Sequence, residues 1–532
     1  MRKLWFYLIP FLLIISFTII PQLNQNTIWS DEWFSYFFTG KTDIKATNMG
    51  DTCDPFLAEH TIATTICLVT IIDSWPPVFY LLLQGWDIFS GANYYLDRAI
   101  IMQVGLIAIC LMYRLGHHLF DEQTGLIASI LMGSCVFLLF YMTEIRGYTF
   151  YVMTCVLSAW IYLLILKKPQ RLSYRIWRWA FPISIAMSLY SHYVAAASVL
   201  ALAVYHLLRL RKIDEVERKH WSRVLRLWVN GCLLFTPWLA ALIVSFINES
   251  LNPRSVDTLT LLNGMIYGFS NNLWLISIPG IVLPLFFWRN RSIQFLYVWG
   301  FTILAVAITG NIFIDFLFHP RHMMGLLPAF CLLIAFSITR LSKFHAALPV
   351  FITGLWAGAG LIHAMNPAFM NAIPRHISSI PLASMQTIVD TVAECATPDD
   401  NFIFSVDTFE DEWVHDFPLE YYSGEFISRE QMTHLGMLVT DENNAYTRLM
   451  PEELFEKNYT ERVQEKVGDS DRIWVFALPE LPNQTALLQL DDILQADDYA
   501  RCDLTLGDDV VSSIYMRGNA NQCAAVQSCA GQ

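Results

Sequence analysis

The sequence predicts a mostly α, polytopic transmembrane helical bundle of about 11–13 membrane helices, followed by a C-terminal extracytoplasmic α/β domain. Three observations predict it. Of the 532 residues only 15% are charged and 55% are hydrophobic, with a mean hydropathy of +0.41. A soluble chain carries about 25% charged residues, so much of this one meets lipid. The apolar runs are long and unbroken instead of alternating; backbone in lipid must bond within helices or closed barrels, so these runs are helices. After about Asn366 the character changes to acid-rich, alternating segments.

The N-terminal "MRKLWFYLIPFLLIISFTII" sets two basic residues before an apolar run from Leu4 to Ile20. The layout resembles a signal peptide, but "PQLNQNTIWSDEW" offers no small-residue cleavage site, so the run reads as an uncleaved first membrane helix. Further apolar runs cover residues 100–113, 125–141, 148–166, 181–192, 193–208, 227–246, 273–287, 295–314, 323–338 and 346–363. The run from Pro76 to Phe89 has 14 residues, where a crossing helix needs about 20.

Basic loops set the orientation. "KKPQRLSYRIWR" (167–178) carries five Lys/Arg and no acid, and "RLRKIDEVERKHWSRVLR" (209–226) carries seven. "RNR" (289–291) and "RLSK" (340–343) continue the pattern. These loops and the N-terminus are expected in the cytoplasm of a multi-pass plasma-membrane protein. Parity then requires the Pro76–Phe89 segment to enter the membrane without crossing it. It also puts Asp31, Glu32, Glu144 and the C-terminal segment on one outer side.

In the tail, "DDNFIFSVDTF", "LGMLVTD", "DRIWVFALPEL" and "DDVVSSIYMRG" read as strands and "TALLQLDDILQ" as an amphipathic helix, the pattern of a small α/β domain. The expected boundaries are 1–364 for the membrane domain, with 22–75 its first outer loop, and 365–532 for the outer domain. Five of the eleven cysteines lie in membrane runs, as small hydrophobes. The others, Cys53 and Cys67 in the first loop and Cys395, Cys502, Cys523 and Cys529 in the tail, form even sets that permit disulfides in an oxidising compartment. Their connectivity is open.

No phosphate loop, dinucleotide fingerprint or basic stripe for nucleic acid appears, and the net charge of −13 gathers in the tail. What remains is a set of ionisable residues beside the membrane, which are expensive there and so point to function. "NTIWSDEWFSYFFTG" puts Asp31 and Glu32 among aromatics just outside the first helix; taken alone, a solvated helix end accounts for the pair equally well. "DSWPPVFYLLLQGW" sets Asp73 and Trp75 before a Pro-Pro step, and proline is tolerated in a first helical turn. "YMTEIRGYTFY" places Glu144 and Arg146 at a helix start, "SLYSHYVAAAS" places His192 and Tyr193 at an outer turn, and "NIFIDFLFHPRHMMGLLPAF" places Arg321 and His322 at another. Arg98, at a helix start, is explained by snorkelling.

In this order the stretches resemble the GT-C superfamily of membrane glycosyltransferases, in the branch related to protein O-mannosyltransferases and the aminoarabinose transferase of lipid A. The likeness rests on the acidic "DE" after the first helix, "DSWPPVFYLL", "EIRGY", "YSHYVAA", "FTPWLAAL" and "PRHMMGLLPAF", and covers about residues 1 to 345. The sequence departs from the pattern with Trp75 where His is commoner, and with Arg321-His322 where Arg-Tyr is usual.

The resemblance implies a sugar donor carried on polyprenyl phosphate and an inverting transfer of a hexosyl or pentosyl group to a glycan, lipid or protein acceptor. Asp31 matches the first-loop catalytic acid, the general base. Glu144 matches the second acidic position, which orients the acceptor or binds metal; Glu32 shares either role. Arg321, then Arg146, is the candidate for gripping the phosphate. His192, Tyr193, His322, Asp73 and Trp75 are further substrate contacts, with a backbone-satisfied turn histidine the alternative for His192. A divalent cation, Mg or Mn, on Asp31 and Glu144 is left open: hard cations prefer oxygen ligands, but no spacing compels one. Membrane lipids are the other expected partners. Two different functions stay open on the residues alone: a transporter or flippase of lipid-linked sugars, and a sensor with an outer ligand-binding domain.

Overall fold

The computed structural model describes residues 4–24, 32, 35–36, 38–39, 62–70, 76–91, 93–167, 175–211, 213–243, 258–313, 320–366, 382–397, 400–405, 432–433, 464, 467, 470–477, 481–504, 506, 511–518 and 523–529. Asp31, Asp73, Trp75 and the expected strand "LGMLVTD" lie outside the described residues. The chain divides into two compact units: Met1–Leu23 with Ser35–Pro374, and Asn24–Phe34 with Arg375–Gln532.

The first unit is helical. Among the described residues seven stretches are long and apolar enough to cross a membrane: Leu4–Asn24, Tyr94–Leu119, Tyr148–Lys167, Glu217–Ile243, Arg291–Gly310, Pro320–Lys343 and Ala347–Ala364. Ala195–Leu210 and Trp274–Phe287 are shorter apolar helices. The Pro-Pro stretch opens helix Val78–Ser90, with Pro77 at its N-cap, and Gly91 ends it at φ 62°, a left-handed conformation that glycine adopts without a Cβ penalty. This helix has 13 residues. At about 1.5 Å per residue it is about 20 Å long, less than the roughly 30 Å hydrocarbon core.

Small and polar residues let the helices approach. A Cβ on Gly116 would lie 2.7 Å from the Cα of Gly125, so Tyr94–Leu119 and Glu122–Gly133 cross with nearly bare backbones in contact. Helices Tyr148–Lys167 and Arg175–Ser191 share hydroxyls: Ser158 Oγ lies 2.8 Å from Ser188 Oγ and donates to the Ser184 carbonyl at 2.9 Å, and Thr154 Oγ1 lies 3.2 Å from Ser191 Oγ.

Two expectations are corrected. Arg98 does not snorkel: it is buried, and its guanidinium donates to the Leu23 carbonyl at 2.9 Å, at the carbonyl end of the first helix, where a cation is favoured. Its neighbour Asp97, also buried, accepts from Tyr36 Oη at 2.9 Å and Ser90 Oγ at 2.8 Å. The apolar run 125–141 is not one helix but two, Glu122–Gly133 and Val136–Tyr141. Asn271 supports the break: its Oδ1 accepts from the Val136 N–H at 2.9 Å, and its Nδ2 donates to the carbonyls of Ser134 at 3.0 Å and Trp356 at 3.2 Å. It holds this position at φ 52°, a region asparagine tolerates better than most residues.

The second unit is built on a five-stranded mixed sheet of order β2-β1-β3-β5-β4, where β1 is Asn401–Ser405, β2 Met432–Thr433, β3 Arg472–Ala477, β4 Tyr499–Leu504 and β5 Val511–Arg517. Strand β1 runs parallel to β2 and β3, and β5 antiparallel to β3 and β4. Period-two alternation gives each face its own core. Trp474, Phe476, Ile514 and Met516 face Ile388 and Val392 of helix Leu382–Cys395. Ile473, Val475 and Tyr515 face Leu490 and Leu494 of helix Leu481–Ala496. Buried Asp400 accepts from Trp474 Nε1 at 2.6 Å and pairs with Arg472 at 3.3 Å. Disulfides join Cys395 to Cys529 and Cys502 to Cys523.

Candidate active site

Three turns of the first unit carry Glu144, Arg146, His192, Arg321 and His322 among the ionisable residues that the sequence singles out. The first links helices Val136–Tyr141 and Tyr148–Lys167. Within it the Arg146 N–H donates to the Glu144 carbonyl at 2.8 Å, which folds acid and arginine into one tight bend, and both residues are buried. Ser35 Oγ donates to the Ile145 carbonyl at 2.6 Å and ties the segment after the acidic pair to this bend. The second turn joins Arg175–Ser191 to Ala195–Leu210. There the Val194 N–H donates to His192 Nδ1 at 3.2 Å, and the Ala195 N–H donates to the His192 carbonyl at 3.0 Å. The third is the 3₁₀ helix Pro320–Leu326, which carries Arg321 and His322.

The second and third turns meet on two tyrosines that follow the first. Tyr148 and Tyr151 stand three residues apart in the opening turn of their helix, on one face. The His192 ring stacks on Tyr151 at 5.2 Å and lies tilted to Tyr148 at 5.5 Å. His322 is 5.3 Å from His192, ring centre to ring centre. The Arg321 guanidinium lies 6.0 Å from the centre of the Tyr148 ring, at the outer limit of a cation–π contact. Gly325 makes the approach possible: a Cβ there would collide with the Tyr151 hydroxyl and sit 2.9 Å from Ser198 Oγ.

Around His192 the described charged groups that act on it are cationic. Burial holds the His192 imidazole well below its ordinary 6.5, and His322, Arg146 and Arg321 push it the same way. His192 is therefore neutral near pH 7. Its Nδ1 accepts the Val194 N–H, so its proton sits on Nε2. Arg146, His192, Arg321 and His322 are thus brought together. Glu144 shares the bend of Arg146, and Tyr193, half-buried, shares the turn of His192. Glu32 is wholly buried and belongs to the second compact unit. Asp31, Asp73 and Trp75 lie outside the described residues. Sequence reasoning did not single out Tyr148 and Tyr151. The signal available was their spacing of three immediately after the acid–arginine bend.

Among the described residues no three His, Cys, Asp or Glu side chains gather as a metal site. Apart from Glu144, the described groups of the cluster are arginine, histidine and tyrosine, not the oxygen-rich shell that Mg or Mn takes.

A helical membrane bundle of this form, joined to a C-terminal sheet domain, has the fold of the GT-C polytopic membrane enzymes, and the chain is a multi-pass membrane protein. The solved structures it is similar to include ArnT from Cupriavidus metallidurans in the apo state, 14% identical, covering 96% of this chain and 97% of that one with a TM-score of 0.57. ArnT bound to undecaprenyl phosphate is 13% identical over 97% of this chain and 99% of that one, also at 0.57. The oligosaccharyltransferase AglB from Archaeoglobus fulgidus, in complex with an inhibitory peptide and a dolichol-phosphate, is 12% identical over 94% and 73%, at 0.52. No protein-family model matches the sequence, and no curated protein does.

Proposed function

We propose that this chain is an integral membrane glycosyltransferase that moves a hexosyl or pentosyl group from a polyprenyl-phosphate donor to an acceptor at the extracytoplasmic face. The reading rests on one observation: the gathering of Arg146, Arg321, His192 and His322 against Tyr148 and Tyr151. Such a group suits a lipid phosphate, whose negative charge grows as the sugar leaves it and needs fixed positive partners. Support also comes from ArnT, solved with undecaprenyl phosphate, and AglB, solved with a dolichol-phosphate.

In this mechanism the Asp31 carboxylate takes the proton of the acceptor group as its nucleophilic atom attacks the anomeric carbon. The bond between that carbon and the phosphate oxygen breaks, and its electron pair leaves with the lipid phosphate. Attack from the side opposite the leaving group inverts the configuration. Arg321 grips the phosphate in bidentate fashion, Arg146 adds a second charge, and the His192 Nε2–H donates to a phosphate or sugar oxygen. Glu144 orients the acceptor. Asp31 is assigned from its place in the sequence after the first membrane helix. The Cys395–Cys529 and Cys502–Cys523 bonds fit an oxidising compartment for the C-terminal unit, which in this reading shapes acceptor access.

The test is direct. Purified protein is given a polyprenyl-phosphate sugar and candidate acceptors, and release of free polyprenyl phosphate is followed. Consumption of the donor that requires Arg321 supports the reading. Movement of the intact donor between leaflets, with no release, would make the protein a flippase instead.

A further inference from the structure

A second feature lies along the first half of helix Arg175–Ser191, away from the His192 turn. The helix has 17 residues, so the two ends are about 25 Å apart. Here a groove of about 640 Å³ opens between this helix and Glu215–Leu233. Arg175 and Arg178 line it on the first helix, followed by Trp179 and Pro182; Leu227 and Leu233 line it on the second. The helices touch at Gly231, where a Cβ would lie 2.6 Å from the Ile185 Cβ and 2.9 Å from the Pro182 carbonyl. The groove is therefore a built hollow beside a tight crossing.

Its chemistry is split. The arginine end continues the stretch 167–178, with five basic residues and no acid. Apart from Asn230 the walls are apolar, and they are open: Trp179 is 58% exposed and Leu233 57%. An inorganic anion would use the charges and leave the walls uncovered, while a neutral lipid would cover the walls without using the charges. One amphiphile with an anionic head and an apolar tail uses both. The positive-inside bias turns the arginine end toward the cytoplasmic leaflet.

We propose that this groove binds an anionic phospholipid of the cytoplasmic leaflet, its phosphate at Arg175 and Arg178 and an acyl chain along Trp179, Pro182, Leu227 and Leu233. The site is separate from the cluster at His192 and does not depend on the reaction assigned to that cluster.

The experiment is native mass spectrometry of the full chain in detergent, titrated with phosphatidylglycerol or phosphatidylcholine of the same acyl composition. The protein is expected to retain phosphatidylglycerol preferentially. Replacing both arginines, Arg175→Ala with Arg178→Ala, should lower that retention by roughly tenfold to thirtyfold, the scale of two basic groups at an anionic surface. Leu233→Trp keeps both charges and fills the groove, and it should lower retention as well. All three positions are exposed, and an unchanged melting temperature shows that each variant folds. Equal retention of the two lipids, or undiminished retention in the double variant, overturns the proposal. So does displacement of phosphatidylglycerol by millimolar inorganic phosphate, which would make this a site for the free anion. A lipid-free dimer abolished by Leu233→Trp also overturns it, in favour of a second copy of the chain.

Discussion

His192 shows how a single side chain sets the character of the site. The unfolded chain protonates this imidazole near 6.5, while the folded chain resists protonation well below that value. Below pH 6.5 the unfolded state therefore binds the extra proton, and stability falls as pH falls; above 6.5 the contribution is fully present. Thermal unfolding from pH 7.5 to 5.5 should show a loss of up to about 1.4 kcal/mol per pH unit, and His192→Gln should flatten that slope. Arg321→Lys keeps the charge but not the planar fork, so apparent donor affinity should weaken more than acceptor affinity; a change confined to the acceptor would remove the phosphate role. Asp31→Asn should lower turnover by roughly 100-fold or more in steady-state assays of folded protein. Glu144, Arg146, His192, Arg321 and His322 were legible in the sequence because ionisable groups stand out against apolar helices. Tyr148 and Tyr151 were not, because a chain that is 14% aromatic hides two rings among many.

Among the elements, the helix Val78–Ser90 carries the sharpest test. Its 13 residues fit a segment that enters the membrane and returns. In a cysteine-free background, single cysteines at Asn93 and Gln170 should then label from opposite sides, Asn93 from outside. Labelling of Asn93 from the cytoplasm alone would make the helix a full crossing and move Glu144 to the other face. Strands β1, β3 and β5 were legible because apolar residues crowd them. Strand β4 was not: in "YARCDL" Arg501 and Asp503 share the face of Tyr499, and their charge masks Tyr499, Cys502 and Leu504, which are the buried ones. The break near Ser134 was hidden for a different reason. Its partner, Asn271, lies more than a hundred residues away, and no local pattern announces a long-range hydrogen bond. Asn271→Ala strands a buried N–H and two carbonyls, and should cost about 2–3 kcal/mol in thermal unfolding.

For the whole molecule, the division into two compact units sets the expectation. Arg146, His192, Arg321 and His322 all belong to the first. A chain ended after Asn366 should still bind the polyprenyl-phosphate donor, measured by equilibrium binding, while transfer to the natural acceptor drops. Loss of donor binding by the folded truncation would assign the tail to the catalytic centre. The Cys395–Cys529 bond, 134 residues apart in sequence, has a consequence for how the protein breaks. It closes the end of the chain back onto the helix at the start of the sheet domain, so a protease that cuts once between these cysteines produces no fragment. The nicked protein keeps its mass on a non-reducing gel and separates only when thiol is added. Damage of this kind goes unseen by any quality-control step that senses a lost piece, and the protein can age while remaining a single covalent object.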